Sequence, residues 1–243
     1  MFTVSETSLG TPESTWLNAE ALAHCAPLHF GPPGRVVVLA PHPDDEVLGV
    51  GGTLQLLAAA GWSVCVVAIT DGEASHPGSP AARATLARIR AEERANALAC
   101  LSLSEAEVVR LQVGDGLVTR ASDLDERLAP HLRDASLCLS PWEHDGHPDH
   151  DATGLAARRA CRTLGVPLLR YPVWAWHWAS PEHLPWTSAR KVPLPPEVQR
   201  AKRKAIAAYR SQIAPLGPAP GEAAVLPPAV LARFERPFEI LFA

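Results

Sequence analysis

Short apolar runs rich in β-branched residues recur along the chain and alternate with stretches of helical composition. The runs at Arg35–Ala40 and Ser63–Ile69 are apolar at nearly every position, which is typical of strands buried on both faces. Between them, Glu46–Ala60 has a helical composition and is followed by Gly61, a residue type that commonly ends helices. This pattern predicts a strand-helix-strand unit and a parallel sheet.

The same alternation continues as far as Tyr171. It predicts further helices at Arg83–Leu101, Asp123–Asp134 and Asp149–Leu164, and further strands at Val108–Val113, Ser136–Ser140 and Pro167–Tyr171. Alternation of this kind is typical of α/β proteins that have helices on both faces of the sheet. We therefore predict a doubly wound, mostly parallel α/β sheet.

The pattern changes after Tyr171. Tyr171–Pro196 is rich in proline and tryptophan, and a basic helix is expected over Glu197–Gln212. Near the end of the chain, the apolar segment Pro237–Phe242 is expected to add an edge strand to the sheet.

The composition is that of an ordinary globular protein. The 243 residues are 47% hydrophobic and 20% charged, and their formal net charge is -4. Neither sign of charge is concentrated in a run, which argues against a nucleic-acid partner. No linker divides the chain, so residues 1–243 are expected to form one domain, with 1–34 as an N-terminal arm and 214–243 as a proline-rich C-terminal segment.

No segment has the features of a signal peptide or of a membrane-spanning helix. The five cysteines are odd in number, far apart and without a Cys-x-x-Cys pair, which favours reduced thiols over a disulfide framework or a thiolate metal site. We expect a cytoplasmic protein without a transmembrane segment, and the sequence leaves a homo-oligomer open.

Two loops at predicted strand ends combine histidines with acidic residues. Pro41–Glu46 follows the first strand, Trp142–His150 follows the fourth, and together they hold four of the ten histidines. The carboxyl ends of parallel strands meet at one crevice, so the two loops are expected to form one site. Each loop contains a His-Pro-Asp tripeptide, a repetition that helix-dipole effects on the acids alone do not explain. The pattern predicts a metal site.

Imidazole and carboxylate ligands without thiolate suit Zn²⁺ or Fe²⁺, and a catalytic zinc usually has three protein ligands and one position for water. His42, Asp45 and His150 would make such a set. Spacing alone leaves open which of the adjacent Asp44 and Asp45 is a ligand and which takes a proton from the water. Either assignment predicts a hydrolase, and no organic cofactor is expected.

These loops resemble the two signature motifs of the LmbE-like (PIG-L) deacetylase family. The motifs are His42-Pro-Asp-Asp-Glu46, with the following Gly49-Val-Gly-Gly-Thr53, and His147-Pro-Asp-His150. The resemblance extends over Arg35 to Phe242 through Thr70-Asp-Gly-Glu73, Arg90, Glu93, Asp115-Gly116 and Tyr209-Arg-Ser-Gln212. It implies a Rossmann-like sheet, a divalent metal, and removal of an acetyl or other acyl group from the nitrogen of a small-molecule amino sugar, such as an N-acetylglucosamine conjugate.

The resemblance also implies roles for the motif residues. It implies metal ligation by His42, Asp45 and His150, and proton abstraction by Asp44 as general base. Zn²⁺ is the expected metal, with Fe²⁺ or another divalent ion as the alternative.

Three further roles concern the second loop. The resemblance implies that His147 stabilises the oxyanion or protonates the leaving amine, and that Asp149 orients a histidine. Asp145 stands where the mycothiol branch of the family has a tyrosine. Because Asp145 and Asp149 flank His147 in the sequence, we expect these carboxylates to favour its charged form.

Three residues are candidates for substrate binding. Asp115 could bind sugar hydroxyls, although Gly114-Asp-Gly116 is also ordinary turn chemistry. Arg90 is a candidate substrate contact only through the family pattern. Trp174 alternates with Trp176 and Trp178, so the three rings are expected to share one face of a strand, where they could stack on a sugar or pack in the core or at a subunit contact.

Other classes of protein are disfavoured by the spacing of the motifs. Gly49-Val-Gly-Gly52 does not directly follow the first strand, as a dinucleotide-binding glycine loop would, and is expected instead to let a helix approach the sheet closely. The remaining alternatives are a non-catalytic sugar-binding or scaffold protein with a structural metal, and a non-haem iron enzyme with the same ligands.

Overall fold

The computed structural model describes residues 10–219 and 221–243 and contains one eight-stranded sheet. The strands are Ala26–Pro27 (β1), Arg35–Ala40 (β2), Ser63–Ala68 (β3), Glu107–Arg110 (β4), Leu137–Pro141 (β5), Leu168–Tyr171 (β6), Ala189–Pro193 (β7) and Phe238–Phe242 (β8). Their order in the sheet is β1-β7-β8-β6-β5-β2-β3-β4. The predicted α/β class with a mostly parallel sheet is confirmed.

The helices lie mainly between consecutive strands, as the alternation predicted. They are Glu13–Leu17 (α1), Glu20–Ala23 (α2), Asp45–Ala59 (α3), Pro80–Cys100 (α4), Leu124–Leu132 (α5), Pro148–Leu164 (α6), Ala175–Trp178 (α7), Pro196–Ile206 (α8), Arg210–Ile213 (α9) and Pro228–Leu231 (α10). Short 3-10 turns occur at Val118–Arg120, Pro181–His183 and Ala232–Phe234. In the described part of the chain, no helix is both long enough and apolar enough to cross a bilayer.

Two apolar clusters hold helices against opposite faces of the sheet. Successive residues of a strand point to opposite faces, so Val36 and Val38 of β2 belong to one cluster and Val37 and Leu39 to the other. The first cluster includes residues of α3, α4 and α8, and the second includes residues of α5 and α6. Burial on both faces explains why the central strands are apolar at consecutive positions.

The C-terminal strand differs from the prediction. An edge strand was expected at Pro237–Phe242, but β8 lies between β6 and β7 and is antiparallel to both. Its residues run Phe-Glu-Ile-Leu-Phe, and four of the five are buried. A strand that is covered on both edges and both faces can be this apolar, and the edge of the sheet is formed instead by the two-residue β1.

Two other expectations are revised in the same half of the molecule. The segment with the three tryptophans forms the helical turn α7 and its N-cap residue rather than a strand, so the three rings do not share one face. The helix expected over Glu197–Gln212 is two helices, α8 and α9, separated at residues 207–209. Of the expected arm 1–34, residues 1–9 lie outside the described residues, and the remainder contributes the fully buried Trp16 and strand β1.

The glycines of the first motif allow α3 to lie close to the sheet, as predicted. A Cβ atom at Gly49 would lie 2.2 Å from the ring of Tyr171, and one at Gly52 would lie 2.6 Å from the side chain of Leu194. Such contacts are too short for any side chain. Gly49 thus places α3 beside Tyr171 at the end of β6, and the backbone carbonyl of Tyr171 accepts the N–H of Trp142, which begins the second motif loop.

Candidate metal centre

The two motif loops leave the sheet side by side. Strands β2 and β5 are adjacent and parallel, with Val38 paired to Leu139, so their carboxyl ends lie at the same edge. The first loop leads into α3 and the second into α6. This is the position at which open α/β sheets bind their ligands.

Three ligand atoms from these loops form a nearly equilateral triangle. Nδ1 of His42 lies 3.3 Å from Oδ2 of Asp45 and 3.3 Å from Nε2 of His150. Nε2 of His150 lies 3.2 Å from the same oxygen of Asp45. Atoms bound at about 2.0 to 2.1 Å to one tetrahedral ion would be about 3.3 Å apart. The three side chains therefore fit a single divalent ion.

Each histidine of the triangle uses its other nitrogen to contact carboxylates. Nε2 of His42 lies 3.2 Å from Asp149 and 3.2 Å from Asp115, while Nδ1 of His150 lies 2.7 Å from Asp145. Carboxylates in these positions fix the tautomer of a metal-binding imidazole and increase its basicity. They leave Nδ1 of His42 and Nε2 of His150 as the unprotonated atoms that a metal needs.

These carboxylates are themselves held by backbone amides. Asp145 is fully buried and accepts hydrogen bonds of 2.8 to 2.9 Å from the N–H groups of residues 173–175, at the start of α7. Asp149 accepts hydrogen bonds from the N–H groups of Gly116 and Val118, at 2.8 and 3.2 Å. Backbone N–H groups therefore help to stabilise both carboxylates, in addition to the imidazoles that they contact.

The charge distribution also favours a cation. Although burial opposes it, the carboxylates of Asp115, Asp149 and Asp45 hold the pKa of His42 well above its usual value. In the same way, Asp45 and Asp145 overcome the effect of burial and raise the pKa of His150 to about 9. Four carboxylates thus surround two imidazoles in a buried space, which is an environment suited to a divalent cation.

Asp44 has an unusual backbone conformation directly before α3. Its φ is +134° and its ψ is -29°, outside the regions that non-glycine residues normally adopt. The guanidinium of Arg90 holds this turn by donating to the carbonyl oxygens of Gly72 and Pro43 and to Oδ2 of Asp44, at 2.7 to 3.1 Å. Burial raises the pKa of Asp44 to about 7, against the lowering effect of Arg90.

A buried network of hydrogen bonds and an ion pair holds the first loop in place. Glu46 is fully buried, and its carboxylate accepts a hydrogen bond from the hydroxyl of Tyr209 and lies 3.3 Å from Arg94. Glu93 accepts from the backbone N–H and the hydroxyl of Ser211. These motif residues therefore connect α3 and α4 to the segment after α8, and they contact the triangle only indirectly.

His147 lies beside the triangle, with its ring centroid 4.8 Å from that of His42 and 4.9 Å from that of His150. Its Nδ1 accepts the backbone N–H of Asp149 at 3.2 Å and so caps the N-terminus of α6. Burial and the neighbouring His150 and His42 lower the pKa of His147 to about 3. The expected charged form is therefore not favoured, because the neighbouring carboxylates contact other partners.

A family model described as "GlcNAc-PI de-N-acetylase" (PIG-L) matches residues 37–161, just over half of the chain, and this range contains both motif loops. The chain belongs to the PIG-L family. The resemblance expected from the motifs is thereby confirmed.

Relatives of this PIG-L chain include two curated proteins. Diacetylchitobiose deacetylase of Thermococcus kodakarensis is 28% identical over 138 residues, which are 55% of this chain and 51% of the relative. The probable N-acetyl-alpha-D-glucosaminyl L-malate deacetylase 2 of Bacillus subtilis is 33% identical over 136 residues, which are 52% of this chain and 60% of the relative. The chain thus spans between half and three fifths of the length of these two relatives.

Solved structures show the same fold. The conserved protein TT1542 from Thermus thermophilus has a TM-score of 0.61 and 28% sequence identity to this PIG-L chain, and the match covers 82% of this chain and 84% of the other.

The PIG-L structure brings most of the expected site residues together. His42, Asp45 and His150 form the triangle, His147 and Asp149 contact its histidines, and Asp44 directly precedes Asp45 in the chain. Asp115 is also present, but it contacts His42 through Oδ1 and accepts the backbone N–H of Ala74 through Oδ2, so both oxygens already have protein partners.

Arg90 and Trp174, two of the expected substrate contacts, have partners within the protein. Arg90 is only 2% exposed and donates to protein acceptors, which fits a residue that positions Asp44 better than one that touches a substrate. Trp174 is half-buried, and its ring stacks on that of His147 at 6.3 Å between centroids. It therefore borders the site, but on a helical turn rather than on a strand.

Sequence reasoning missed the function of Asp145 and gave no role to Glu73. Asp145 was noted as the replacement of a tyrosine and as a neighbour of His147, whereas its carboxylate contacts Nδ1 of His150. Glu73 accepts the backbone N–H of Asp115 through Oε1, and its Oε2 is buried without a hydrogen-bond partner in the described structure. Its position two residues before the second His-Pro-Asp tripeptide could have indicated that Asp145 belongs to the site. Its partners at residues 173–175 could not be predicted, because they are distant in sequence.

Proposed function

We propose that this chain is a metal-dependent amide hydrolase that removes an acetyl or other acyl group from the nitrogen of an amino sugar, in particular an N-acetylglucosamine conjugate. The observation that carries the proposal is the triangle of His42, Asp45 and His150, with separations of 3.2 to 3.3 Å. Membership of the PIG-L family and the deacetylase names of the two curated relatives support the reaction class.

The proposed metal ligands are His42, Asp45 and His150, and zinc is the proposed metal because the set consists of imidazoles and one carboxylate. When bound, a divalent ion at such a site polarises a carbonyl group and lowers the pKa of water to about 7. Asp149, Asp115 and Asp145 orient the two imidazoles through their remaining nitrogens.

Asp44 is the proposed general base. Its Oδ2 accepts a hydrogen bond from Arg90 at 3.1 Å, so Oδ1 is the atom that would take the proton of the attacking water. The same proton can then pass from Oδ1 to the leaving nitrogen when the C–N bond breaks, because an amide leaves poorly as an anion. Arg90 positions Asp44 for both transfers by holding the backbone of Pro43 as well.

His147 is proposed to stabilise the oxyanion as a neutral hydrogen-bond donor. Its Nδ1 accepts the N–H of Asp149, so the proton of the neutral ring is on Nε2. A donor at this position stabilises negative charge that develops on the carbonyl oxygen. This assignment replaces the imidazolium expected from the sequence.

The candidate substrate contacts differ in whether their side chains already have partners within the protein. Trp174 stays a candidate, because it borders the site and is only half-buried. Glu73 offers a carboxylate oxygen with no partner in the described part of the chain. Asp115 and Arg90 act through His42 and Asp44, respectively. A cytoplasmic location and a homo-oligomer stay predictions from the sequence.

A closed structural metal site is the second candidate, and one observation favours it. Ligand atoms of His42, His147 and His150 lie within 4.8 Å of one another, so His147 is a candidate fourth ligand. Structural zinc sites usually have four protein ligands, whereas catalytic sites keep a position for water. A chain with such a site would bind metal without hydrolysing amides.

The decisive experiment reconstitutes the metal-free protein with Zn²⁺, Fe²⁺, Mn²⁺ or Co²⁺ and measures acetate release. The substrates are N-acetylglucosamine and a panel of its conjugates. We expect release from at least one conjugate with one bound ion per chain, and a loss of about 100- to 10,000-fold in Asp44→Asn at unchanged metal content. No release from any substrate with any metal, in protein that binds stoichiometric metal, would favour the structural site.

A further inference from the structure

Two indole rings lie against the loop that carries the second motif. Trp174 directly precedes α7 and Trp178 ends it, so the two residues are one helical turn apart and lie on the same side of the turn. The ring of Trp174 stacks on that of His147 at an interplanar angle of 26°. Nε1 of Trp178 donates to the backbone carbonyl of Asp145 at 2.6 Å.

Gly146 permits this close contact. It has a φ of +89°, and a Cβ atom there would lie 2.3 Å from Nε1 of Trp178 and 2.9 Å from two carbon atoms of the indole. The ring of Trp178 therefore packs directly on the loop backbone, one residue before His147. Trp174 thus covers the ring of His147, and Trp178 covers the neighbouring residues Asp145 and Gly146.

Trp178 remains 48% exposed despite these contacts. The other exposed large apolar side chains in the described part of the chain are all aliphatic. Trp176 lies between these two residues in the sequence and is buried against Trp16 and Arg236. It is therefore Trp176, and not Trp178, that anchors this turn in the core. Tryptophan is enriched at binding interfaces because its N–H group finds a hydrogen-bond partner while its ring presents a flat apolar face.

We propose that Trp174 and Trp178 form a stacking subsite beside the metal centre for a second ring of the substrate. The preferred substrate is then an N-acylated amino sugar that is linked to another ring with a flat apolar face, either a second sugar or an aromatic group, rather than a monosaccharide. This inference rests on the proposed function, since it assigns a binding site to the part of the substrate that lies beyond the reacting amide. Indole rings stack on both kinds of ring through their flat faces.

The test compares substrates with one and two rings. The one-ring substrate is methyl N-acetylglucosaminide, and the two-ring substrates are diacetylchitobiose and 4-nitrophenyl N-acetylglucosaminide. In Trp178→Ala we expect the ratio of two-ring to one-ring kcat/KM to fall by about 3- to 10-fold, mainly through KM. The two two-ring substrates show whether a sugar or an aromatic ring is preferred.

Trp178→Phe separates stacking from support of the loop, because phenylalanine keeps a flat ring but cannot donate to Asp145. We expect it to retain most of the two-ring preference. Leu17→Ala is the matched control, since Leu17 is 54% exposed and lies in α1. Equal losses on one-ring and two-ring substrates in Trp178→Ala, or an unchanged ratio, would overturn the subsite.

Binding measurements keep this inference separate from the proposed activity. Calorimetric titration of the metal-loaded protein with chitobiose, 4-nitrophenyl glucosaminide and methyl glucosaminide, the deacetylated counterparts, requires no turnover. We expect tighter binding of at least one two-ring ligand by the wild type, and a reduced difference in Trp178→Ala. If the wild type binds the one-ring and two-ring ligands equally, the subsite is wrong even where acetate release is seen. If two-ring binding is preferred but no acetate is released, the proposed activity fails instead.

Discussion

Nδ1 of His150 lies 2.7 Å from Oδ2 of Asp145, and both side chains are fully buried. The carboxylate of Asp145 also accepts three successive backbone N–H groups from residues 173–175. The orientation of one proposed metal ligand is therefore determined by a turn that follows β6, outside both signature motifs. This arrangement makes Asp145 a positioning residue for His150.

Asp145→Asn tests this relationship with little change in shape. An amide cannot accept from all of these donors, because its NH₂ group would face an N–H group, so His150 should lose its fixed orientation. We expect metal affinity to fall by about 10- to 100-fold, the usual effect of removing such a partner. Competition with a chelator measures the affinity. Asp125→Asn on α5, where the carboxylate pairs with Arg159 at the surface, is the control and should bind metal normally. Wild-type affinity in Asp145→Asn would contradict the assignment.

The central sheet could be predicted because its signal is local. Buried β-branched runs such as Arg35–Ala40 and Ser63–Ile69 are typical of parallel strands, and the predicted bounds agree with β2 and β3 to within one residue. The two motif loops could also be paired, because the ends of parallel strands share one edge of the sheet. The proximity of His42 and His150 follows from these two facts.

The placement of β8 and the partners of Asp145 could not be predicted in this way. β8 pairs with β7 along its whole length and with β6 at Phe242, and nothing near β8 in the sequence identifies either partner. Likewise, Asp145 lies close to His147 in sequence, but the turn at residues 173–175 binds its carboxylate. Contacts between distant segments depend on the assembled fold, whereas sequence patterns report local structure.

The backbone conformation of Asp44 determines which of two substitutions, Asp44→Gly or Asp44→Ala, should give the more stable protein. Alanine at φ +134° keeps the unfavourable conformation, while glycine adopts it without steric cost, and both variants lose the carboxylate. We therefore expect Asp44→Gly to be more stable than Asp44→Ala by about 1–3 kcal/mol in urea unfolding. Neither variant should be active.

The control for this comparison is Ala95→Gly at an exposed position of α4. There glycine should destabilise the protein by about 1 kcal/mol relative to alanine, which is the opposite sign. If glycine were also the less stable residue at position 44, the conformation of Asp44 would not be strained. A strained residue at this point is consistent with selection for the position of a reactive carboxylate rather than for stability.

Gly154 allows α6 to pack closely on the backbone at the end of β5 and in the loop that follows it. A Cβ atom at this position would lie 2.8 Å from the backbone nitrogen of Glu143 and 2.8 Å from the carbonyl oxygen of Pro141. Because neither backbone atom can rotate away, Gly154→Ala should displace α6 and destabilise the protein by about 1–3 kcal/mol. Metal affinity should fall too, since α6 carries His150. Gly31→Ala is the control, because no atom lies within 4 Å of its Cβ position, and equal unfolding midpoints for the two variants would refute the packing argument.

Two substitutions of His147 separate the catalytic and structural interpretations of this residue. Its Nδ1 caps α6, so His147→Ala removes both the cap and the proposed Nε2–H donor and should cost about 0.5–2 kcal/mol of stability. Asparagine is a favourable N-cap residue, so His147→Asn should restore the cap without restoring the donor.

If His147 stabilises the oxyanion, His147→Asn should have near wild-type stability and one bound ion per chain, but a kcat lower by about 100- to 1,000-fold with little change in KM. If His147 is instead a fourth metal ligand, the same variant should lose metal affinity. Metal content and kcat measured on one preparation therefore distinguish the two interpretations, because a donor to the oxyanion contributes only when the amide reacts, whereas a ligand contributes whenever the ion is bound.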